Sequence, residues 1–289
     1  MLKFMQKALP WLYGMAIILA IYVVFFMPAG TGSGPVDSNN PSSQTGQEAP
    51  GTFNLYSYLN KITSAKGKVV FDCTFNLENG DELKVSSTQN FETKGANSAI
   101  TGSTSYALNS DTAVFDDYTY IKEGMRYVKS PTGYLKSENT LLDAGNLNLG
   151  KIEEVLDRDG DVVLEDGVSC YKYIGSMMYG DMSNNFRAFI RAQNVNISDI
   201  QNLPLDITVF VTESYVPYKM VLEFTDAKCM VKCSGLANKS GTASGRFVIS
   251  FSGFNGVDKI NYPADMSNAM DGTYVLTDKV NRYLVKTGH

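Results

Sequence analysis

From Val69 the chain alternates. Val69, Phe71, Cys73, Phe75 and Leu77 fall on one side of an extended chain, with Asp72, Thr74 and Asn76 on the other. A period of two marks a strand with one buried face. Asn79-Gly80 is a strong hairpin signal, and Glu82–Phe91 returns as the partner strand. Ser98–Leu108 and Thr112–Lys122 form the next pair, and Glu123-Gly124 turns the chain into Met125–Lys129, before a further turn at Pro131–Gly133. A second clear hairpin joins Val162–Leu164 to Val168–Ile174 through Asp166-Gly167. Strands resume at Leu205–Glu213, Tyr218–Phe224, Cys229–Ser234 and Arg246–Phe254. Tyr262-Pro263 ends the sheet, and Asp265–Met270 reads as a last turn of helix.

Three stretches break the alternation. Leu55, Leu59 and Ile62 recur at helical spacing, with Asn54 as a cap. Leu141, Leu142, Leu147, Leu149, Ile152 and Leu156 suggest one or two helices, and Phe186, Phe189 and Ile190 a third. The pattern predicts an α+β domain. It has one curved antiparallel sheet of about eight to eleven strands and helices near 54–65, 139–156 and 184–194.

Ahead of this domain the pattern is different. Ala8–Met27 is an uncharged run of 20 residues, long enough as a helix to span a bilayer's hydrocarbon core. Lys3 and Lys7 precede it, and no Lys or Arg follows until Lys61. That asymmetry predicts a cytoplasmic stub at 1–7, a transmembrane anchor at 8–27 and an extracytoplasmic remainder, single-pass in the cell membrane. A cleaved signal peptide is the rival, with its best cleavage point after Ala29, and it delivers the domain to the same side. Residues 28–52, rich in Pro, Gly and Ser and without an aromatic residue, read as a flexible linker. The domain is then 53–289.

Charge narrows the choice of function. A net charge of −5 argues against nucleic acid as a partner. His289 is the single histidine, which excludes His-based triads and His–metal clusters. No phosphate loop, dinucleotide fingerprint or nucleophile elbow occurs. The acidic run Asp157, Asp159, Asp161 lacks a glycine at the sixth loop position and a Glu at the twelfth, so it reads as a solvated turn and not a calcium loop. No metal, cofactor or catalytic residue is expected, and the chain reads as a non-enzyme. Asn196 and Asn238 open glycosylation sequons.

Four cysteines, Cys73, Cys170, Cys229 and Cys233, are either two disulfides or four buried thiols. Cys229 and Cys233 lie in one predicted strand, where they are too far apart to pair with each other. If disulfides form, these two pair with Cys73 and Cys170.

The stretch TYIKEGMRYVKSPTGYLK resembles a strand–turn–strand unit of the bacterial LolA/LppX-like lipoprotein-carrier superfamily. LDITVFVTESYVPYKMVLEFTDAK is similar to that group's strand pair around a proline, with Pro217, Lys219 and Met220 in matching places, and FSGFNGVDKINYPADMSNA to its closing strand. The resemblance covers roughly residues 54–270. It implies a half-barrel with helices over its concave face, holding lipid chains or acyl groups. The chain departs from it in having an apparent anchor and four cysteines.

The expected function is therefore a membrane-tethered extracytoplasmic module binding a lipid or another hydrophobic ligand. Apolar alternating positions offer Phe71, Phe75, Tyr120, Tyr127, Val209, Val211, Val221 and Phe251 as its lining. The alternative is a cell-envelope scaffold or sensor with a solid core, acting through contacts with an envelope protein.

Overall fold

The computed structural model describes residues 55–59, 61–78, 80, 82–108, 110–130, 132–138, 149–178, 181, 202–231 and 239–272. The anchor, the linker, the helix expected at 184–194, Cys233 and both sequon asparagines lie outside them.

The described residues form one 13-stranded sheet, two more strands than the longest expected count. One meander runs through β1 (Ser64–Leu77), β2 (Glu82–Lys94), β3 (Asn97–Leu108), β4 (Asp111–Lys122), β5 (Met125–Ser130) and β6 (Gly133–Glu138). The second contains β7 (Asp157–Arg158), β8 (Val163–Glu165), β9 (Val168–Met178), β10 (Pro204–Thr212), β11 (Pro217–Val231) and β12 (Lys239–Phe254). β12 returns to pair with β1, which joins the two meanders. β13 (Met270–Asp271) then adds in parallel to β6, so the sheet continues past Tyr262-Pro263. The path ends on the two-residue strands β13 and β7 and does not close, leaving a large, curved, open and mostly antiparallel sheet.

The hairpins form where the turn residues suit them. Glu123 and Asp166 adopt φ of 52° and 48°, each followed by a glycine of positive φ, as two-residue hairpins of this hand require. Tyr218–Phe224 and Cys229–Ser234, expected as separate strands, are instead parts of β11 as far as Val231. An irregularity between Phe224 and Ala227, with Asp226 at φ 48°, absorbs the break in alternation that made them look separate.

Helices are few. α1 (Leu55–Leu59) is shorter than the stretch 54–65, because β1 has already started at Ser64. α2 (Leu149–Glu154) occupies the end of the second helical stretch, and 139–148 lies outside the described residues. α1 packs against α2, and Leu55, Leu59 and Ile152 are almost wholly buried.

Register gives each face its members. Val69, Phe71, Cys73 and Phe75 of β1 stand opposite Ile249, Phe247, Gly245 and Ala243 of β12. Ile249 and Phe247 stand opposite Met220 and Leu222 of β11, and these opposite Val209 and Ile207 of β10. All of these apolar side chains are buried. This side is also the crowded one. A Cβ added at Gly102 would come 2.0 Å from the Thr88 carbonyl oxygen, and one at Gly67 would come 2.1 Å from that of Ser250. Only glycine allows strands to approach so closely, and such positions let a sheet curl toward that side. It is the concave face. Val155, just after α2, lies over it at Gly175 of β9.

Candidate functional site: the concave face

The concave face has two wings. The apolar wing crosses β9, β10, β11, β12 and β1, with Leu205, Ile207, Val209, Val211, Met220 and Ile249 each at most 4% exposed. Tilted and edge-on ring pairs tie it together, Phe71 with Phe247 at 6.4 Å and Phe91 with Phe251 at 6.2 Å between centroids.

The other wing, on β2, β3 and β4, is equally buried and carries a group of polar side chains among the apolar Val85, Phe91, Ile100 and Ile121. Gln89, Gly102 and Asp117 lie in one row across the three strands, and Ser87 and Thr104 lie opposite each other in the next. The side chains are linked. Gln89 Nε2 donates to Ser87 Oγ at 3.2 Å, Ser87 Oγ and Thr104 Oγ1 are 3.0 Å apart, and Thr104 Oγ1 donates to Asp117 Oδ2 at 2.6 Å. The Ser87 hydroxyl also reaches the Ser103 carbonyl oxygen, at 3.4 Å. Ser98 is on the same face, opposite Thr93 and Ile121, and is 1% exposed. Its Oγ has no hydrogen-bond partner. Ser87 and Gln89 alternate with Val85 and Phe91 on one side of β2, but polar side chains there gave no sign of a buried hydrogen-bonded group.

The eight residues expected to line a site divide between the two faces. Phe71, Phe75, Val209, Val211 and Phe251 share the concave face. Tyr120, Tyr127 and Val221 do not. Tyr120 lies between Ala99 and Tyr127 on the convex face, where Tyr120, Tyr134 and Met266 form a core with Tyr127, Tyr262 and Ala269 packed against it. The segment after β12 covers this cluster, through a 3-10 turn at Ala264–Asn268, a hydrogen bond from Tyr262 Oη to the Ile121 carbonyl and the Lys129–Asp265 ion pair at 2.6 Å. Burial, the charge of Tyr134 and a hydrogen bond with it push the Tyr120 phenol up to about 12. Burial, with Glu123 and Tyr127 nearby, pushes Tyr262 to about 12 as well.

Val221 belongs to a second convex cluster with Cys170 and Phe210. The β8–β9 hairpin lies over it, held by Lys219, which binds both Glu165 and Asp166. Burial lowers the Lys219 pKa, but its bonds to Asp166 and Glu165 outweigh that and leave it raised.

Register also overturns two of the disulfide pairings. Cys73 and Cys229 stand opposite Gly245 and Gly241 of β12, from either side. Two strand spacings across and four residues along amount to about 16 Å, well beyond the roughly 7 Å reach of a disulfide. Cys170 pairs with Thr212, near the start of β11, while Cys229 is near its end. So Cys229 can join neither. Cys170 is a buried free thiol, and burial pushes its pKa up.

What this face can offer is apolar contact and hydrogen bonding. Among the described residues no group of three or more His, Cys, Asp or Glu could hold a metal ion. Nor is any helix among them long and apolar enough to cross a membrane. No protein family matches the chain, and no curated protein matches it. Among solved structures, the chain is similar to the crystal structure of LprF from Mycobacterium bovis. Identity is 14%, with 69% of this chain and 90% of that chain covered and a TM-score of 0.38.

Proposed function

We propose that this chain is a membrane-tethered, extracytoplasmic binding module. Its concave face receives the hydrocarbon of a lipid or another hydrophobic ligand, and it performs no catalysis. The observation that carries the reading is the continuity of the apolar wing, which crosses five strands of an open sheet and includes Phe71, Phe75, Val209, Val211 and Phe251. An open curved sheet with a continuous apolar inner side suits an apolar chain laid across it. Ala8–Met27 holds the module in the cell membrane, and residues 28–52 give it reach.

A second reading has its own support. Val211 and Ile249 are fully buried, as they would be in a filled core. The chain would then be an envelope scaffold or sensor acting through protein contacts.

Native mass spectrometry of the purified full chain, followed by solvent extraction, separates the two. Each CH₂ removed from water contributes about 0.8 kcal/mol, so a bound acyl chain survives purification. Co-purified lipid is the expected result. A bare protein mass that takes up no added fatty acyl probe would leave the scaffold as the account. Topology has a separate check: protease added to spheroplasts removes the domain if it is extracytoplasmic, and full protection contradicts the anchor's orientation.

A further inference from the structure

We infer that the β8–β9 hairpin is a cover that opens by itself, without unfolding of the sheet, and that its fastening to Lys219 sets how often the Cys170 thiol behind it is uncovered. The inference does not depend on the binding reading above. It makes the second convex island a gated one.

Three observations carry it. First, the hairpin stands beyond the body of the sheet. β10 pairs with β9 only from Cys170 onward, and β8 is three residues long with β9 as its one strand partner among the described residues. A two-stranded piece of that size is marginal on its own. Its outer side adds little packing, since Leu164 is 73% exposed and Val162 42%. Second, its inner side holds it down. Val163 and Val168 pack against Cys170, Phe210 and Val221, and Lys219 of β11 binds both Glu165 of β8 and Asp166 of the turn. Both carboxylates belong to the hairpin and the ammonium to the sheet, so opening parts them together. The lysine is not stranded when this happens, because water replaces the carboxylates. Third, the closed hairpin shields a chemical group. Cys170 is fully buried. Burial, and then the charge of Glu165, raise its thiol pKa, against the opposing effect of Lys219. The closed form therefore keeps an unreactive thiol, and opening removes both the burial and the Glu165 charge.

Cys73 is the natural reference. It is also buried, but it lies within β1, which is paired along its length with β12 on one side and β2 on the other. A reagent reaches it only if the middle of the sheet parts. The chain thus holds one buried cysteine behind a small cover and another behind the sheet itself. A local opening exposes little surface and depends weakly on urea, whereas a global one depends on it steeply.

The test is iodoacetamide labelling of the reduced full chain, held in amphipol, over a series of urea concentrations below the unfolding transition. Peptide mass spectrometry reads each cysteine separately. Cys170 should be labelled about tenfold faster than Cys73 or more, with a rate nearly flat in urea, while the Cys73 rate climbs steeply. Glu165→Gln combined with Asp166→Asn removes both carboxylates, and asparagine tolerates the φ of 48° at position 166, so the turn is kept. That variant should raise Cys170 labelling about tenfold, a moderate effect because Asp166 is 61% exposed, and leave Cys73 labelling within about twofold. Cys170 labelled no faster than Cys73 and with the same urea dependence would overturn the separate opening. A double variant that leaves Cys170 labelling unchanged, or that raises both cysteines alike, would overturn the role of the fastening.

Discussion

The two faces of this sheet bury side chains in different ways. On the convex face burial is local. One island, Tyr120 with Tyr134 and Met266, lies under the segment that follows β12, and the other, Cys170 with Phe210 and Val221, lies under the β8–β9 hairpin. Each island has its own cover, and each cover has its own fastening, Lys129 to Asp265 in one case and Lys219 to Glu165 and Asp166 in the other. On the concave face burial is continuous, from β9 across to β4, and only its composition changes along the way. An island under a fitted cover accounts for itself as packing. The inner surface is buried without a break, and its side chains are mostly apolar, with one hydrogen-bonded group on β2, β3 and β4.

The largest effect is expected in the apolar wing. Phe247→Ala removes a buried ring packed on Phe71 and should destabilise the fold by about 3–5 kcal/mol, read by urea denaturation. A loss below 1 kcal/mol would mean that the face is not tightly packed there. In the polar wing, Thr104→Val deprives Asp117 of a donor and should cost about 1–3 kcal/mol. Ser98→Ala should stay within about 0.5 kcal/mol of the parent, because no bond is lost. Equal losses in the two variants would show that Ser98 has a structural partner after all.

The convex islands should respond to alkali. Tyr120 and Tyr262 both titrate near 12 when folded, against an ordinary 10. A phenol with a raised folded pKa contributes stability in full below pH 10 and loses it as pH rises through about 12. Thermal melts should therefore fall steeply across that window, and Tyr120→Phe should flatten the fall. A flat profile in the parent chain would contradict the burial of these phenols. The exposed fastening should matter little: Lys129→Ala should cost no more than about 1 kcal/mol, since both partners of the pair with Asp265 are over a third exposed.

The contrast between the faces also shows what the sequence could and could not reveal. Alternation located the strands well, and Asp166-Gly167 and Glu123-Gly124 fixed two hairpins through their turn chemistry. Alternation says that a residue is buried, but not against what. Tyr120, Tyr127 and Val221 looked like lining because they are apolar and in strands, yet they serve covers that come from distant segments. The polar wing was illegible for the opposite reason. Ser, Gln and Thr on a strand suggest solvent, and only the register of β2, β3 and β4 brings Gln89, Ser87, Thr104 and Asp117 together. The length of β11 was hidden too, since the irregularity at Asp226 imitates a turn.

In the proposed function an apolar chain lies against the concave face and not the convex one. The most direct measurement is photolabelling of the full chain with a diazirine-bearing fatty acyl lipid, followed by peptide mapping. Adducts are predicted at Phe71, Phe75, Val209, Val211 or Phe251, competed away by the same lipid without the diazirine. Adducts confined to the islands around Tyr120, Tyr127 and Val221, or none that a competitor removes, would contradict it.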